Sequence, residues 1–288
     1  MDSLAKVDLH MHTTVSDGSD KPEDIIARVK DAGIKIFSVT DHDAVKGCRI
    51  IRGALRSDDP TFICGAEFSC KDEDGKYHIL AYYDDPNSAA INGLVEKGHA
   101  LRMEKVALRL EFLRTEFGFE FPKDEIDKIL SLDNPGKPHI GNLMIKSGYA
   151  PDIKTAIRDY IDKLHIKSKY IRPEDAIKSI IKGGGIPVLA HPFFGDGDQL
   201  ILGEEMEKRL TKLKGYGLKG VEAFYSGFSP KLIKTMIGYA EKYKLFVTAG
   251  SDYHGTNKLV RLGETGLEYA EELPSGFTAF FKAFGIEL

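Results

Sequence analysis

The chain has 288 residues, 42% of them hydrophobic and 29% charged, which is ordinary for a soluble globular enzyme. Its formal net charge of -4 argues against a protein that binds duplex nucleic acid stably, although a small phosphorylated substrate or a nucleic-acid end remains compatible with it. No apolar run reaches the roughly 18–20 residues that a membrane span needs, and the first residues have no signal-peptide pattern. Because Cys48, Cys64 and Cys70 have no metal-finger spacing, they fit a reducing compartment, and we expect a cytoplasmic protein without a membrane partner.

Seven short runs of apolar and β-branched residues predict β-strands, and most of them end at a polar residue. The runs span residues 7–10, 36–40, 62–67, 78–83, 186–191, 221–224 and 246–252. Amphipathic helical patterns such as 21–33 and 172–185 separate most of them, each with a proline near its start and a glycine at its end. Between the third and fourth runs, Asp74-Gly75 instead predicts the turn of a hairpin.

This alternation of strands and helices predicts an α/β fold with a mostly parallel sheet, and seven strands predict a closed or nearly closed barrel. Residues 89–170 break the alternation, because they contain helical patterns only. We therefore expect a barrel domain made of residues 1–88 and 171–288. The helical insertion at 89–170 is expected to cover the mouth of the barrel and the active site.

Histidines and acidic residues collect at the predicted strand ends, where the loops of a barrel converge on one point. His10 and His12 follow the first strand, and their spacing in an extended segment places both rings on one face. The acidic residues share these places: Asp17 lies in the loop after the first strand, Glu67 ends the third strand and Asp252 ends the seventh. Six of the nine histidines lie at strand ends or in adjoining loops: His10, His12, His42, His78, His191 and His254.

Each of these residues has an ordinary structural explanation when it is taken alone. A single histidine near a strand end is more often a hydrogen-bonded structural residue, Asp17 before Gly18 fits a turn, and Glu67 fits a salt bridge. Packing gives no reason for histidines to be sorted to strand ends, whereas a polynuclear metal site does. The set as a whole therefore predicts a cluster of bound metal ions.

Six motifs in chain order, HMHTTVSDG, TDHD, AEFS, HIL, AHP and GSDYH, resemble those of the polymerase-and-histidinol-phosphatase (PHP) family. The resemblance spans both halves of the predicted barrel, and the insertion resembles that of the small stand-alone PHP phosphoesterases. It implies a distorted (β/α)7 barrel with a helical insertion domain. It also implies a nucleotide substrate: a nucleoside 3′,5′-bisphosphate, which would lose its 3′-phosphate, or the 5′ end of a short oligoribonucleotide.

The resemblance further implies nine ligand positions for two to three divalent ions, and mixed imidazole and carboxylate ligation suits Mn, Fe or Zn. The first ion would be bound by His10, His12, Glu67 and Asp252. Glu67 would bridge to a second ion, whose other ligands are His78 and His191. The ligands of the third ion in a trinuclear site would be Asp17, His42 and His254.

The chemistry expected of such a site is hydrolysis of a phosphate ester. Two metals a few ångströms apart lower the pKa of a bridging water toward ~7 and neutralise the phosphoryl oxygens, so the resulting hydroxide is the nucleophile and no Ser or Cys is required. Asp17 or His254, beside the third ion, is a candidate for protonating the leaving oxygen.

Substrate selection is expected to involve the insertion. His139, in Gly136-Lys137-Pro138-His139, resembles the substrate-contacting histidine of an Arg-Pro-His element in the stand-alone subgroup. Lys137 stands in place of the arginine, so it keeps the charge but loses the planar fork that binds phosphate through two hydrogen bonds. Arg102 is a further candidate phosphate ligand, and its alternative is an ordinary solvated charge on a helix.

Alternative functions of two classes remain open from the sequence. The same metals would also serve a sugar cyclic phosphate phosphodiesterase or a histidinol-phosphatase-like enzyme, although the shorter histidinol phosphatases lack this helical insertion. A non-catalytic, metal-stabilised PHP module is the alternative of a different class. The complete set of ligand positions favours an enzyme, a metal-dependent phosphoric ester hydrolase, over that module.

Overall fold

The computed structural model describes residues 6–132, 134–166, 170–194 and 200–288. The chain divides into two compact units. The first unit comprises Met1–Val95 and Ile171–Leu288, and the second comprises Glu96–Tyr170. None of the helices in the described ranges is long and apolar enough to cross a membrane.

The strands of the first unit form two sheets. The three-stranded sheet is parallel, has the order β1-β2-β3, and contains β1 (Val7–Asp8), β2 (Ile36–Phe37) and β3 (Thr61–Phe62). The five-stranded sheet follows chain order and contains β4 (Cys64–Asp72), β5 (Gly75–Tyr83), β6 (Ile186–Leu189), β7 (Gly220–Tyr225) and β8 (Phe246–Gly250). Strand β5 runs antiparallel to β4 and β6, whereas β6, β7 and β8 are parallel. The fold is therefore α/β with mixed sheets.

Two details differ from the sequence prediction. The single strand expected at 62–67 is divided between β3 and β4, because the chain passes from one sheet to the other at Ile63. Gly65 allows close packing there, since a Cβ at this position would lie 2.4 Å from Ser38 Oγ. The predicted hairpin joins β4 to β5, but Asp72 pairs with Gly75, so the turn lies one residue earlier than Asp74-Gly75.

The helices follow in chain order. They are α1 (Pro22–Asp31), α2 (Lys46–Ala54), α3 (Ala89–Phe117), α4 (Lys123–Leu130), α5 (Lys137–Lys146), α6 (Ile153–Thr155), α7 (Pro173–Lys182), α8 (Gly203–Tyr216), α9 (Pro230–Tyr243) and α10 (Ser275–Ala283). A proline opens α1, α7 and α9, where its fixed φ suits the first helical turn and its missing N–H costs no hydrogen bond. Helix α3 begins in the first unit and continues into the second.

Large aromatic side chains fill the core of the first unit. Phe277 and Phe280 of α10 are buried, and their rings lie 5.9 Å from that of Phe224 and 5.2 Å from that of Tyr82, respectively. Burying rings of this size stabilises the fold by about 1.5–3 kcal/mol each, so α10 covers the sheet instead of leaving it open to water. The three cysteines are also buried and free.

The second unit is helical in its described residues, as the sequence predicts for this part of the chain. It has a hydrophobic core of its own, in which Val106 and Leu113 of α3 pack with Ile140 and Met144 of α5. A three-residue helix, α6, continues as a π-helical segment, Ala156–Tyr160. The placement of an insertion over the active site stays a prediction.

Candidate metal centre

The segments that follow β1 and β8 are joined by backbone hydrogen bonds, and this joining brings two predicted motifs side by side. Asp252 N donates to His10 O, and His12 N donates to Tyr253 O, both at 2.8 Å. As a result, Asp252 Oδ1 lies 3.5 Å from His10 Nε2 and 3.4 Å from His12 Nε2. The two imidazole nitrogens are themselves only 3.2 Å apart.

Glu67, on β4, lies at the centre of the cluster and is only 1% exposed. It is held next to the motif after β2, because Asp43 N donates to Glu67 O at 2.8 Å. The Glu67 carboxylate lies 2.9 to 3.3 Å from ring nitrogens of five histidines: His10, His12, His42, His78 and His191. One buried carboxylate thus faces imidazoles contributed by five separate positions of the chain.

Asp17 forms the more exposed edge of the cluster, with 43% of its side chain accessible. Its carboxylate lies 3.3 Å from His254 Nε2, 3.6 Å from His12 Nδ1 and 3.8 Å from His42 Nε2. The turn after it passes so close to the first motif that a Cβ at Gly18 would lie 2.3 Å from His12 O. Only glycine can occupy position 18 at this distance. The close contact keeps the loop, and with it Asp17, next to the histidines.

The donor atoms suit a cation. Three overlapping groups have donor atoms within 4.8 Å of one another: His12, Asp17, His42 and His254; His10, His12 and Glu67; His42, Glu67 and His78. His191 and Asp252 complete the set through their contacts with Glu67 and with His10, so the structure brings together all nine residues predicted as ligands. Mixed nitrogen and oxygen donors fit Mn, Fe or Zn, and the residues present therefore fit a bound metal.

Backbone strain is concentrated at this site. Among the described residues other than glycine, four have positive φ, and three of these are Asp43 at 48°, His191 at 28° and Asp252 at 58°. Non-glycine residues rarely adopt such angles, and where they do the conformation is held by surrounding contacts. Each of the three lies at or next to a predicted metal ligand.

The electrostatics favour ionised carboxylates. Burial opposes the charge on Glu67, but the imidazoles of His42, His10 and His78 outweigh it and hold the pKa of Glu67 well below its usual range. The pKa of Asp252 is likewise held well below its usual range, because His10 and His12 outweigh the effect of burial. Negative oxygens are thus available to a cation.

The histidines differ in their preference for a proton. Burial lowers the pKa of His42 to about 4, so this ring is neutral at pH 7 and has a lone pair for a metal. Burial also opposes the charge on His12, but hydrogen bonds with Asp252 and Glu67 and the charge of Asp17 raise the pKa of His12 to about 10. Without metal, His12 therefore holds a proton at pH 7 that a bound ion must displace.

Apparent metal affinity is accordingly expected to rise with pH. Because the metal-free pKa of His12 is about 10, each proton displaced on binding strengthens the affinity about tenfold per pH unit between pH 6 and 9. Isothermal titration with Mn²⁺ in buffers of different ionisation enthalpy measures the number of protons released. An affinity that is constant over this range, with no proton release, would contradict this assignment of charge.

Asp41, Tyr225 and Lys258 support the cluster, and the sequence analysis assigned none of them a role. Asp41 is buried and accepts hydrogen bonds from Thr13 N at 2.7 Å and from Thr13 Oγ1 and Ser16 Oγ at 2.8 Å, so it fixes the loop that leads to Asp17. The position of Asp41 in the TDHD motif was the feature of the sequence that could have indicated this role. Tyr225 O–H donates to Asp252 Oδ2 at 2.9 Å, and Lys258 forms an ion pair with the same oxygen; no pattern in the sequence indicated either.

The three predicted substrate-binding residues lie in the second unit. His139 Nδ1 accepts a hydrogen bond from Gly136 N at 3.1 Å, so His139 helps to begin α5, and Lys137 forms an ion pair with Asp162. Arg102 lies on α3. Their contact with a substrate stays a prediction.

Arg102 also has cationic neighbours that the sequence reasoning missed. Lys105 and Arg109 follow it at spacings of three and seven residues, which places all three on one face of α3. Lys105 is 8% and Arg109 9% exposed, so neither is an ordinary solvated helix charge. The helical spacing of these basic residues was the feature of the sequence that could have indicated a shared positive face.

A family model describes a chain segment that begins at β1 and ends in α7. The PHP domain model matches residues 8–175, which is more than half of the chain. The chain belongs to the PHP domain family. The matched segment contains His10, His12, Asp17, His42, Glu67 and His78, and thus most of the cluster.

Similar PHP proteins have named activities. The chain is 25% identical to a 3′,5′-nucleoside bisphosphate phosphatase of Chromobacterium violaceum, over 94% of this chain and 93% of the relative. It is 25% identical to a 5′-3′ exoribonuclease of Haemophilus influenzae, over 90% of this chain and 93% of the relative. The solved structure of an amidohydrolase from Chromobacterium violaceum is similar in fold, with a TM-score of 0.75, 24% identity and coverage of 94% of this chain and 93% of the other.

Proposed function

We propose that this PHP protein is a metal-dependent phosphoesterase that hydrolyses a small phosphorylated substrate. The observation that carries the proposal is the convergence of five imidazoles on the buried carboxylate of Glu67, with Asp17 and Asp252 both within 3.6 Å of His12. A relative that covers nearly the whole chain is named a phosphatase, which supports the same reaction class.

The cofactors in this proposal are two to three divalent ions of Mn, Fe or Zn, held by the nine residues of the cluster. Bound metals supply two things: they lower the pKa of water, and they neutralise the oxygens of the phosphoryl group. Glu67 supplies the shared negative charge between the imidazoles. Asp252 presents one oxygen to His10 and His12, while its other oxygen is fixed by Tyr225.

Asp17 and His254 form the edge of the cluster that is assigned to the leaving group. His254 Nδ1 lies 2.8 Å from the carbonyl oxygen of Asp252, and as the proton donor in that contact it turns Nε2 toward Asp17. The Asp17 side chain is also the most exposed carboxylate of the cluster, so a substrate reaches it from solvent. Burial opposes the charge on Asp17, but the imidazoles of His42, His254 and His12 outweigh it and hold the pKa of Asp17 below its usual range. Asp17 is therefore ionised at pH 7, and the proton that this pair would pass to the departing oxygen comes from solvent.

The proposed scaffold is one distorted (β/α)7 barrel to which both sheets contribute. Leu9 N donates to Ala249 O at 2.8 Å, which links the chain after β1 to β8. Isolated bridges pair Met11 with Tyr253 and His42 with Glu67 across the two sheets. These links support an arrangement in which the strand ends face a common site.

A cytoplasmic location is part of the same proposal, and the free, buried cysteines support it.

The proposed substrate is a nucleoside 3′,5′-bisphosphate or the 5′ end of a short RNA, and the helical insertion at 89–170 would cover the active site. Similarity to the phosphatase and to the exoribonuclease supports these two candidates. The shared face of Arg102, Lys105 and Arg109 offers positive charge for a second phosphate, as does Lys137 on α5, while His139 would contribute a hydrogen bond. Binding of duplex nucleic acid is not expected.

A substrate panel tests this proposal. Mn²⁺-loaded protein is incubated with 3′-phosphoadenosine 5′-phosphate, with short 5′-phosphorylated RNA and with a sugar cyclic phosphodiester, and the products are resolved by chromatography. We expect hydrolysis of one of the first two. Hydrolysis of the cyclic diester alone would overturn the nucleotide assignment, and the absence of hydrolysis with all phosphate esters would overturn the reaction class.

A further inference from the structure

Glu222 is a buried carboxylate that joins two of the predicted metal-binding histidines. It lies on β7 and is 0% exposed. Its Oε1 lies 2.9 Å from His10 Nδ1, and its Oε2 accepts a hydrogen bond from the backbone N–H of His191 at 2.8 Å. Both oxygens are therefore used on residues of the cluster, although Glu222 is not one of the nine predicted ligands.

The surrounding backbone leaves room for this contact. A Cβ at position 250 would lie 2.3 Å from Glu222 Oε1 and 2.3 Å from His10 Cβ, so only a glycine fits between them. Gly250 is outside the set of glycines with positive φ, so close approach and not backbone conformation requires it. The pairing of β7 with β8 also shifts register between Glu222 and Phe224, and such a bulge changes the direction of side chains along a strand.

The first oxygen of Glu222 determines which nitrogen of His10 can bind a cation. An ionised carboxylate only accepts hydrogen bonds, so His10 Nδ1 must carry the proton in their contact. The other ring nitrogen, Nε2, then faces the centre of the cluster, where Glu67 Oε2 lies 3.2 Å away, and it is the nitrogen whose lone pair a metal would take. A histidine whose second nitrogen donates to a carboxylate is held in one tautomer and one orientation, which strengthens metal binding.

The second oxygen acts on the backbone of His191. This residue has a φ of 28°, which is unfavourable for a side chain with a Cβ. The hydrogen bond from His191 N to Glu222 Oε2 stabilises that conformation, in which His191 Nε2 lies 3.3 Å from Glu67 Oε1. One side chain thereby orients ligands on both sides of Glu67.

We propose that Glu222 is a positioning residue for metal binding: it fixes the tautomer of His10 and the backbone of His191 so that both rings face Glu67. This inference rests on the proposed function, since it concerns the same cluster. It goes beyond the ligand set because Glu222 acts through the two histidines and not as a ligand.

The Glu222→Gln variant tests the tautomer directly. Glutamine keeps the size of the side chain but has one acceptor oxygen. If that oxygen accepts the His191 N–H, the amide NH₂ faces His10 Nδ1, which must then accept, and the ring proton moves to Nε2. Metal affinity measured by competition between the protein and a chelator for Mn²⁺ is expected to fall about 10- to 100-fold.

Asp72→Asn is the matched control. Asp72 is also a carboxylate on a strand of the first unit, its side chain is 1% exposed, and it pairs with Lys212 instead of a histidine of the cluster. We expect it to keep wild-type Mn²⁺ affinity. A merely structural role for Glu222 would lower the thermal midpoint of the metal-free protein without changing its affinity for Mn²⁺.

The outcomes separate this inference from the proposed function. Wild-type affinity in Glu222→Gln would overturn the positioning role, while phosphate release by the wild type would leave the proposed function intact. Wild-type protein that binds none of Mn²⁺, Fe²⁺ and Zn²⁺ would overturn the proposed function itself. If Glu222→Gln does not fold, Glu222→Asp replaces it. The aspartate keeps the charge but is one methylene shorter and cannot reach both histidines, so the same loss is expected, and wild-type affinity in that variant would overturn the role.

Discussion

Glu67→Gln is expected to lower the rate of hydrolysis by at least about a thousandfold, because it damages the group shared by five of the six predicted metal-binding imidazoles. The carboxylate faces five ring nitrogens at 2.9 to 3.3 Å. Glutamine offers one acceptor in place of two and removes the negative charge that offsets the cations. Initial rates at saturating Mn²⁺, together with the metal content of the purified variant, measure the effect.

Glu73→Gln is the control for this substitution. Glu73 lies in the β4–β5 hairpin turn of the same unit, its side chain is 64% exposed, and it pairs with Lys212. It undergoes the same chemical change without touching the cluster, and its activity should equal that of the wild type. A Glu67→Gln protein that folds and retains more than about a tenth of wild-type activity would contradict the central role of this carboxylate.

Removal of metal is expected to abolish hydrolysis and to destabilise the protein. An ion present at a thousand times its dissociation constant stabilises the folded state by about 4 kcal/mol, and in a chain of this size that corresponds to a fall of roughly 10 °C in Tm on removal. The physical cause lies in the cluster itself. Without a cation, the negative charges of Glu67, Asp252 and Asp17 are offset by protonated imidazoles such as that of His12.

Calorimetry and activity assays before and after dialysis against a chelator measure both effects. Adding Mn²⁺ back should restore rate and Tm together, whereas Mg²⁺ should restore less, because imidazole is a poor ligand for Mg²⁺. Full turnover in protein from which the metal has been removed, as checked by elemental analysis, would rule out a metal-dependent reaction.

The sequence was sufficient to predict the groups that end the strands. A histidine or carboxylate directly after a short apolar run can be recognised in the sequence alone. The strand ends of a barrel-like fold converge on one point, so such residues are expected to lie close together. The pattern of runs and polar ends therefore predicts that His10, Glu67 and Asp252 lie together, and their contacts confirm it. The hairpin before His78 can be predicted too, although in the structure its turn lies one residue earlier than the sequence predicts.

Contacts that depend on tertiary register could not be predicted in the same way. Glu222 reaches His10 across 212 residues of sequence, through a bulge in β7 and a close approach at Gly250. Glu222 lies within the apolar run at 221–224, but nothing in the sequence indicates the residue that it contacts. The same holds for Lys258, which pairs with Asp252 from an irregular segment after β8.

The division of the expected third strand has a similar cause. The apolar run at 62–67 predicts one strand. Packing, which the run does not reveal, determines which of its residues pair in each of the two sheets. Gly65 permits that packing by leaving space for Ser38, and a glycine within a strand pattern is the one local signal for such an approach. Packing also decides which helical cations are buried, as with Lys105 and Arg109.

The most direct measurement of the central claim compares hydrolysis of the active substrate of the panel by the Mn²⁺-loaded wild type and by His10→Ala, with folding of both checked by circular dichroism. His10 is fully buried, and its Nε2 lies within 3.5 Å of His12, Glu67 and Asp252. The predicted result is metal-dependent hydrolysis by the wild type and loss of that hydrolysis in a folded variant. Equal rates in the two proteins would contradict the assignment of the cluster as the active site.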